Sequence, residues 1–239
     1  LRGAFEYQGQ KCSAASRAYI PASVWGRISE PIATEMSKIK MGDAVDFTNF
    51  MNAVIDQRAF DKITGYIDRA RERATCDVFL GGGSDDSVGW FVEPTIIVTE
   101  DSRSETMVEE IFGPVLTVYV YDDDRFLDIL ETCDTGSPYA LTGSIFASNE
   151  EHVGIALEKL RFSAGNFYIN DKPTGAVVAQ QPRLSRAKGA DLKRLELAVP
   201  QLFKTVHPSI PSPRCWMLNP KNNPNYEKEK TVREALCPD

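Results

Sequence analysis

Between residues 17 and 170, short runs rich in β-branched and aromatic residues alternate with longer segments whose apolar residues recur every three or four positions. Residues 17–20, 76–80, 90–98, 114–121, 141–147 and 165–170 read as extended chain. Residues 22–39, 56–71, 104–110, a segment from 126 and another from 150 read as helices, and residues 1–7 as the last turns of a helix that leads in. Each such element is apolar on one side, and layers of strand and helix bury every such side together. The pattern therefore predicts an α/β fold with a helix-covered sheet.

The helix over 56–71 has the clearest signals. Asp56 has the chemistry of an N-cap, and Phe60, Ile63, Ile67 and Ala70 form one apolar stripe. Its charged face, with Arg69, Arg71, Glu72 and Arg73, reads as solvated. The helix over 22–39 carries Ile28, Ile32, Met36 and Ile39 on one face, with Ser23 as its expected cap. Pro31 lies within it and costs about 3 kcal/mol, unless the helix restarts there. Gly81-Gly82-Gly83 follows a strand but lacks phosphate-loop spacing and precedes two aspartates, so it reads as a turn. Asp122-Asp123-Asp124 is read as capping the next helix rather than as a metal cluster. Ser148-Asn149-Glu150-Glu151 has capping-box spacing.

Charge divides the chain in two. Residues 1–182 carry a net charge of −12, while residues 183–239 carry +5 and half of the 14 prolines. The overall charge of −7 argues against nucleic acid or an anionic membrane as the main partner. Apolar periodicity fades after 182, apart from Leu192, Leu195 and Ala198. The reading is of one α/β domain over 1–182 and a divergent, largely disordered tail over 183–239. The five cysteines, Cys12, Cys76, Cys133, Cys215 and Cys237, are widely spaced with no CxxC, which fits free thiols in a reducing compartment better than a disulfide framework. The only histidines, His152 and His207, fall on an expected surface helix and in the tail, where neither suits a Cys–His pair. No apolar run reaches membrane-spanning length. No targeting segment is visible in a chain that starts at Leu1.

Gly9-Gln10-Lys11-Cys12-Ser13 is the stretch with nucleophile chemistry. A cysteine in a small-residue loop between a helix and a strand is open to a substrate. A lysine neighbour and free backbone N–H groups favour its thiolate. Residues 5–17, Phe5-Glu6-Tyr7-Gln8-Gly9-Gln10-Lys11-Cys12-Ser13-Ala14-Ala15-Ser16-Arg17, resemble the catalytic-cysteine segment of the aldehyde dehydrogenase superfamily, most closely its 1-pyrroline-5-carboxylate dehydrogenase branch. Glu109-Glu110-Ile111-Phe112-Gly113-Pro114-Val115 is similar to that superfamily's cofactor-contacting segment. Ala164-Gly165-Asn166-Phe167-Tyr168-Ile169-Asn170-Asp171-Lys172, running on to Gln180-Gln181-Pro182, resembles a strand near the end of its catalytic domain. Where the branch continues with Phe-Gly-Gly, this chain has Arg183-Leu184-Ser185.

The resemblance implies NAD-dependent oxidation of L-glutamate γ-semialdehyde to glutamate, in proline catabolism and in the mitochondrial matrix, by a homo-oligomer. It implies Cys12 as the catalytic nucleophile and Glu110 as the partner of the nicotinamide-ribose hydroxyls. Phe112 would pack beside the nicotinamide, and Lys11 and Ser13 would meet the substrate's α-carboxylate. The family's dinucleotide-binding domain, oxyanion asparagine and general-base glutamate precede the cysteine segment and are not in this chain. The expectation is thus of a polypeptide inactive alone, with very weak affinity for NAD. Two alternatives remain at this stage: a cofactor-free cysteine acyl-transferase or esterase, and a non-catalytic chain that pairs with full-length subunits.

Overall fold

The structure, a computed structural model, describes residues 1–174. The expectations for the segment around Gln180 and for the tail over 183–239 lie outside the described residues.

The main sheet has four strands in the order β1 (Arg17–Pro21), β6 (Val115–Tyr121), β5 (Thr95–Thr99), β2 (Cys76–Leu80). β1 and β5 flank β6 in parallel, and β2 closes the edge antiparallel to β5. β5 is buried on both faces: Thr95, Ile96, Ile97 and Thr99 are all almost inaccessible. Such a strand needs a layer on each side. On one face α3 (Gln57–Arg71) lays Ile63, Ile67 and Ala70 against Ile97, Val115 and Val92. On the other, α1 (Arg2–Phe5) and α2 (Ala22–Met36) bring Ala4, Phe5 and Met36 onto Ile96 and Val118, with Met51 filling the same cluster. A separate parallel pair, β7 (Thr142–Ile145) and β8 (Asn166–Ile169), packs with α5 (Phe126–Thr135) and α6 (Glu150–Lys159) around Leu130, Ala156 and Leu160.

α3 agrees with its sequence reading at both levels. The Asp56 carboxylate accepts from the Ala59 N–H at 2.8 Å, and the stripe from Ile63 to Ala70 faces inward. Several other local readings are corrected by contacts from far along the chain. α2 starts after Pro21, not at Ser23. The carboxylate of Asp123 supplies its cap, accepting from the Ser23 N–H at 3.3 Å and the Ser23 hydroxyl at 2.7 Å. Asp123 is thus engaged at α2, and neither helical segment that follows the Asp122–Asp124 run has a side-chain bond at its cap. Pro31 neither stops nor restarts α2. It lies exposed inside a continuous helix, and Ile39 follows in a turn beyond the helix end.

The cap of α6 is Asn149 rather than Ser148: its side-chain oxygen accepts from the Glu151 and His152 N–H groups. The leading helix is one short turn, α1, followed by a 3₁₀ segment, Glu6–Gly9, with non-helical angles inside. The extended chain over 90–98 is two strands. β4 (Phe91–Val92) pairs with β3 (Ser84–Asp85) in a small hairpin, and Pro94 separates it from β5. Gly81 and Gly82 both have positive φ but do not make the expected turn: Gly83 accepts from the Glu93 N–H and the chain runs on into β3, so it reverses between Asp85 and Phe91.

Candidate active site

Tyr7, Gln8 and Gly9 all take left-handed backbone angles, with φ of 58°, 57° and 62°. Two consecutive non-glycine residues there are costly, on the order of 1–2 kcal/mol each. The surroundings hold them by contacts that leave little choice. The Gln8 amide donates to the Ala53 carbonyl at 3.2 Å and accepts from the Asn52 N–H at 3.2 Å. Gln10 accepts from the Ile55 N–H at 3.0 Å. At Gly9 a Cβ would overlap the carbonyl of Gly113, so only glycine lets the two backbones touch.

From that anchor the chain turns over Lys11–Ala14, closed by the Ala14 N–H on the Lys11 carbonyl at 3.0 Å. Cys12 occupies the turn and is exposed. Ala15 then donates to the Gly3 carbonyl, tying the turn back to α1 before β1 begins. The Cys12 N–H and the Ser13 hydroxyl make no hydrogen bond among the described residues. The Ser13 carbonyl receives the Thr142 hydroxyl at 3.5 Å.

Contact of Gly9 with Gly113 brings the thiol turn to the segment carrying Glu110 and Phe112. That segment is shaped by alternating burial. Ile111 and Gly113 are buried, Gly113 against Ile63 of α3, while Glu110 and Phe112 point outward. Phe112 has φ of 60° and is 40% exposed. Lys62 donates to the Glu110 carbonyl at 2.7 Å and so fixes its backbone. The Glu110 carboxylate has no hydrogen-bond partner among the described residues. A free carboxylate able only to accept suits a pair of ribose hydroxyls, and an exposed ring held by its own backbone suits one face of a flat heterocycle. Both residues therefore fit the nicotinamide end of NAD.

Lys11 departs from its sequence reading. Its ammonium does not stand free beside the thiol but pairs with Glu6 at 3.4 Å. Glu6 also holds Lys172, at 3.0 Å, from the segment after β8. The Lys172 hydrogen bond, with the charges of both lysines, holds the Glu6 carboxyl below the usual carboxylate range against a weaker upward push from partial burial. Glu6, Gln8, Gln10, Lys62 and Lys172 are site residues that the sequence reading misses. Only the clustering of Gln8 and Gln10 around Gly9 offered any local sign.

The other two cysteines among the described residues differ from Cys12. Cys76 reaches the Thr99 hydroxyl at 3.5 Å within the sheet. Burial pushes the Cys133 thiol up, away from thiolate at neutral pH. An open hollow of about 890 Å³ lies between residues 41–44, residues 52–53 and the β3–β4 hairpin, and none of the candidate residues lines it.

Three comparisons bear on this arrangement. The profile of the "Aldehyde dehydrogenase family" matches residues 1–183. The mitochondrial delta-1-pyrroline-5-carboxylate dehydrogenase of Dictyostelium discoideum is 55% identical over 194 residues, which cover 81% of this chain and 35% of that protein. The human protein of the same name is 46% identical over 215 residues, covering 87% of this chain and 38% of its own. That alignment takes in more than residues 1–182 contain. Among solved structures, the delta-pyrroline-5-carboxylate dehydrogenase from Mycobacterium tuberculosis bound with NAD matches with a TM-score of 0.72 at 50% identity, over 80% of this chain and 34% of that one. The chain thus spans little more than a third of the length of these relatives.

Proposed function

Because the chain belongs to the aldehyde dehydrogenase family, we propose that it is the nucleophile-bearing part of a mitochondrial, NAD-dependent dehydrogenase that oxidises L-glutamate γ-semialdehyde to glutamate in proline catabolism. The observation that carries this reading is the contact of Gly9 with Gly113. It supports the reading because it joins the segment leading into the exposed Cys12 turn to the segment carrying the outward-facing Glu110 and Phe112.

In this reading the Cys12 thiolate attacks the aldehyde carbon, forming the C–S bond of a thiohemiacetal. The Cys12 N–H, which has no partner among the described residues, donates to the oxyanion that develops on the former carbonyl oxygen. Lys11 and Ser13 flank the nucleophile and meet the substrate's α-carboxylate by charge and by hydrogen bond. Glu110 accepts from the ribose hydroxyls of NAD, and Phe112 packs beside its nicotinamide. NAD, when bound, supplies a two-electron hydride acceptor. Hydrolysis of the resulting thioester regenerates the Cys12 thiol. Two contacts at one end of NAD offset little of the cost of association, so this chain by itself is expected to hold the dinucleotide only weakly.

Thiol protection tests the reading on the chain as it stands. Iodoacetamide should alkylate Cys12 ahead of Cys76 and Cys133, as peptide mapping reads directly. L-glutamate γ-semialdehyde should protect Cys12 at lower concentration than pentanal, because the thiohemiacetal withdraws the thiolate and the carboxylate adds affinity. Faster labelling of Cys76 or Cys133, or no protection by either aldehyde, would overturn it.

A further inference from the structure

Glu6 lies six residues before the thiol, and nothing in the sequence pattern singles it out. In the structure one of its oxygens takes the Lys11 ammonium at 3.4 Å and the other takes Lys172 at 3.0 Å. The two lysines enter from opposite ends of the described chain. Lys11 reaches Glu6 because the left-handed run over Tyr7–Gly9 folds the chain back on itself, and its ammonium then lies 6.0 Å from the centre of the Tyr7 ring. Lys172 arrives from the end of β8, where its Cβ and the Pro173 ring pack at Gly3, beside α1.

A lysine ammonium is a hydrated point charge on a flexible stem. Two of them repel, and without a shared counter-charge each gains rotamer entropy by swinging into water. One carboxylate between two ammonium groups leaves a single positive charge unbalanced, tethered through Lys11 to the turn that carries the exposed thiol.

We propose that Glu6 is a positioning residue: it holds the Lys11 and Lys172 ammonium groups together beside the Cys12 turn, and the pair forms the subsite for an anionic substituent on the aldehyde. Lys172 is thereby the second cation of that subsite. This rests on the reading of Cys12 as the nucleophile and adds what selects a carboxylated substrate.

The test compares Cys12 alkylation by iodoacetate, an anion, with that by iodoacetamide, its neutral counterpart, in the full chain. Each rate is normalised to N-acetylcysteine. Glu6→Gln adds one unit of positive charge near the thiol, so charge alone raises the iodoacetate to iodoacetamide ratio. Positioning lowers it, by about threefold for a partly exposed ion-pair network. Glu6→Asp keeps the charge and shortens the reach, so charge alone leaves the ratio unchanged and positioning lowers it again. Either variant that keeps Cys76 and Cys133 protected decides the matter. Lys172→Gln, at a more exposed position, tests the second cation separately and should also lower the ratio; an unchanged ratio there overturns its assignment. A raised or constant ratio in the Glu6 variants overturns the role of Glu6 and leaves Cys12 as nucleophile intact. Failure of wild-type Cys12 to react ahead of Cys76 and Cys133 removes both readings together.

Discussion

Helix α3 and the loop from Tyr7 to Ala14 are both fixed, but by different forces. α3 is held by burial: Ile63, Ile67 and Ala70 are essentially inaccessible against the sheet. The loop buries little of its own, and Tyr7 is 70% exposed. It is held by directed contacts, from Gln8 and Gln10 to residues 52–55, from Glu6 to its two lysines, and from Gly9 to the Gly113 backbone. Burial is strong and indifferent to direction, whereas hydrogen bonds are weaker and specify where atoms lie. A nucleophile needs the second kind of support, because its position matters more than the depth of the well that holds it.

That contrast can be broken by exchanging the consequences. Ile67→Ala removes buried methyl groups from α3 and should cost about 2–5 kcal/mol in denaturant unfolding. Cys12 alkylation in the folded variant should stay within about twofold of wild type, since no site residue touches Ile67 in the described contacts. A large change in Cys12 reactivity would mean that the helix core and the loop are not separable.

Gly9→Ala should do the reverse. Its Cβ meets the Gly113 carbonyl in a backbone region that alanine avoids, at a cost of about 1–3 kcal/mol. The Cys12 alkylation rate should change by more than stability suggests, because the loop must lift from the segment carrying Glu110 and Phe112. An unaltered rate would show that the loop keeps its shape without that contact.

The smallest effect sharpens the comparison from the polar side of α3. Glu105 accepts from Arg69 at 3.0–3.1 Å and from Arg73 at 3.2 Å, tying α3 to the short helix α4 (Glu105–Val108). So Arg69 and Arg73 are exposed, as the solvated-face reading expects, and paired as well. The Arg69 hydrogen bonds foremost, with the charges of both arginines, hold the Glu105 carboxyl below its ordinary range. A depressed carboxyl stabilises the fold above its unfolded-state value, and that contribution is lost as pH falls through the lower folded value. Glu105→Gln should therefore cost less than about 1 kcal/mol at pH 7. The gap to wild type should close as the pH is taken below about 4 in paired urea titrations. A gap that persists in acid would assign the effect to packing instead.

The same contrast governs what could be read from the residues. α3 is legible because its cap and stripe are local: Asp56 bonds three residues on, and the stripe repeats within four turns. The cap of α2 is not legible, since Asp123 lies a hundred positions further along the chain. The alternation of strands and helices anticipates the element order but misses the hairpin of β3 and β4, whose two-residue strands are too short to show a period. In the site, Cys12, Glu110 and Phe112 stand out through motif resemblance, and the structure brings their segments together. Glu6 and Lys172 are separated by 166 positions, and no window of sequence pairs them.

β1 follows directly on the thiol turn, and it pairs in parallel with β6, Arg17 opposite Thr117. Parallel neighbours have no hairpin route to each other, so the intervening hundred or so residues must be in place before the pairing can close. A growing polypeptide therefore makes its thiol turn about a hundred residues before the Gly113 shelf beneath Gly9. Until then the apolar side chains Phe5 and Ile20 lack their partners on β5 and β6. The Cys12 thiol is thus made well before the segment that seats its turn, and in that interval this chain most needs protection from aggregation and stray thiol chemistry.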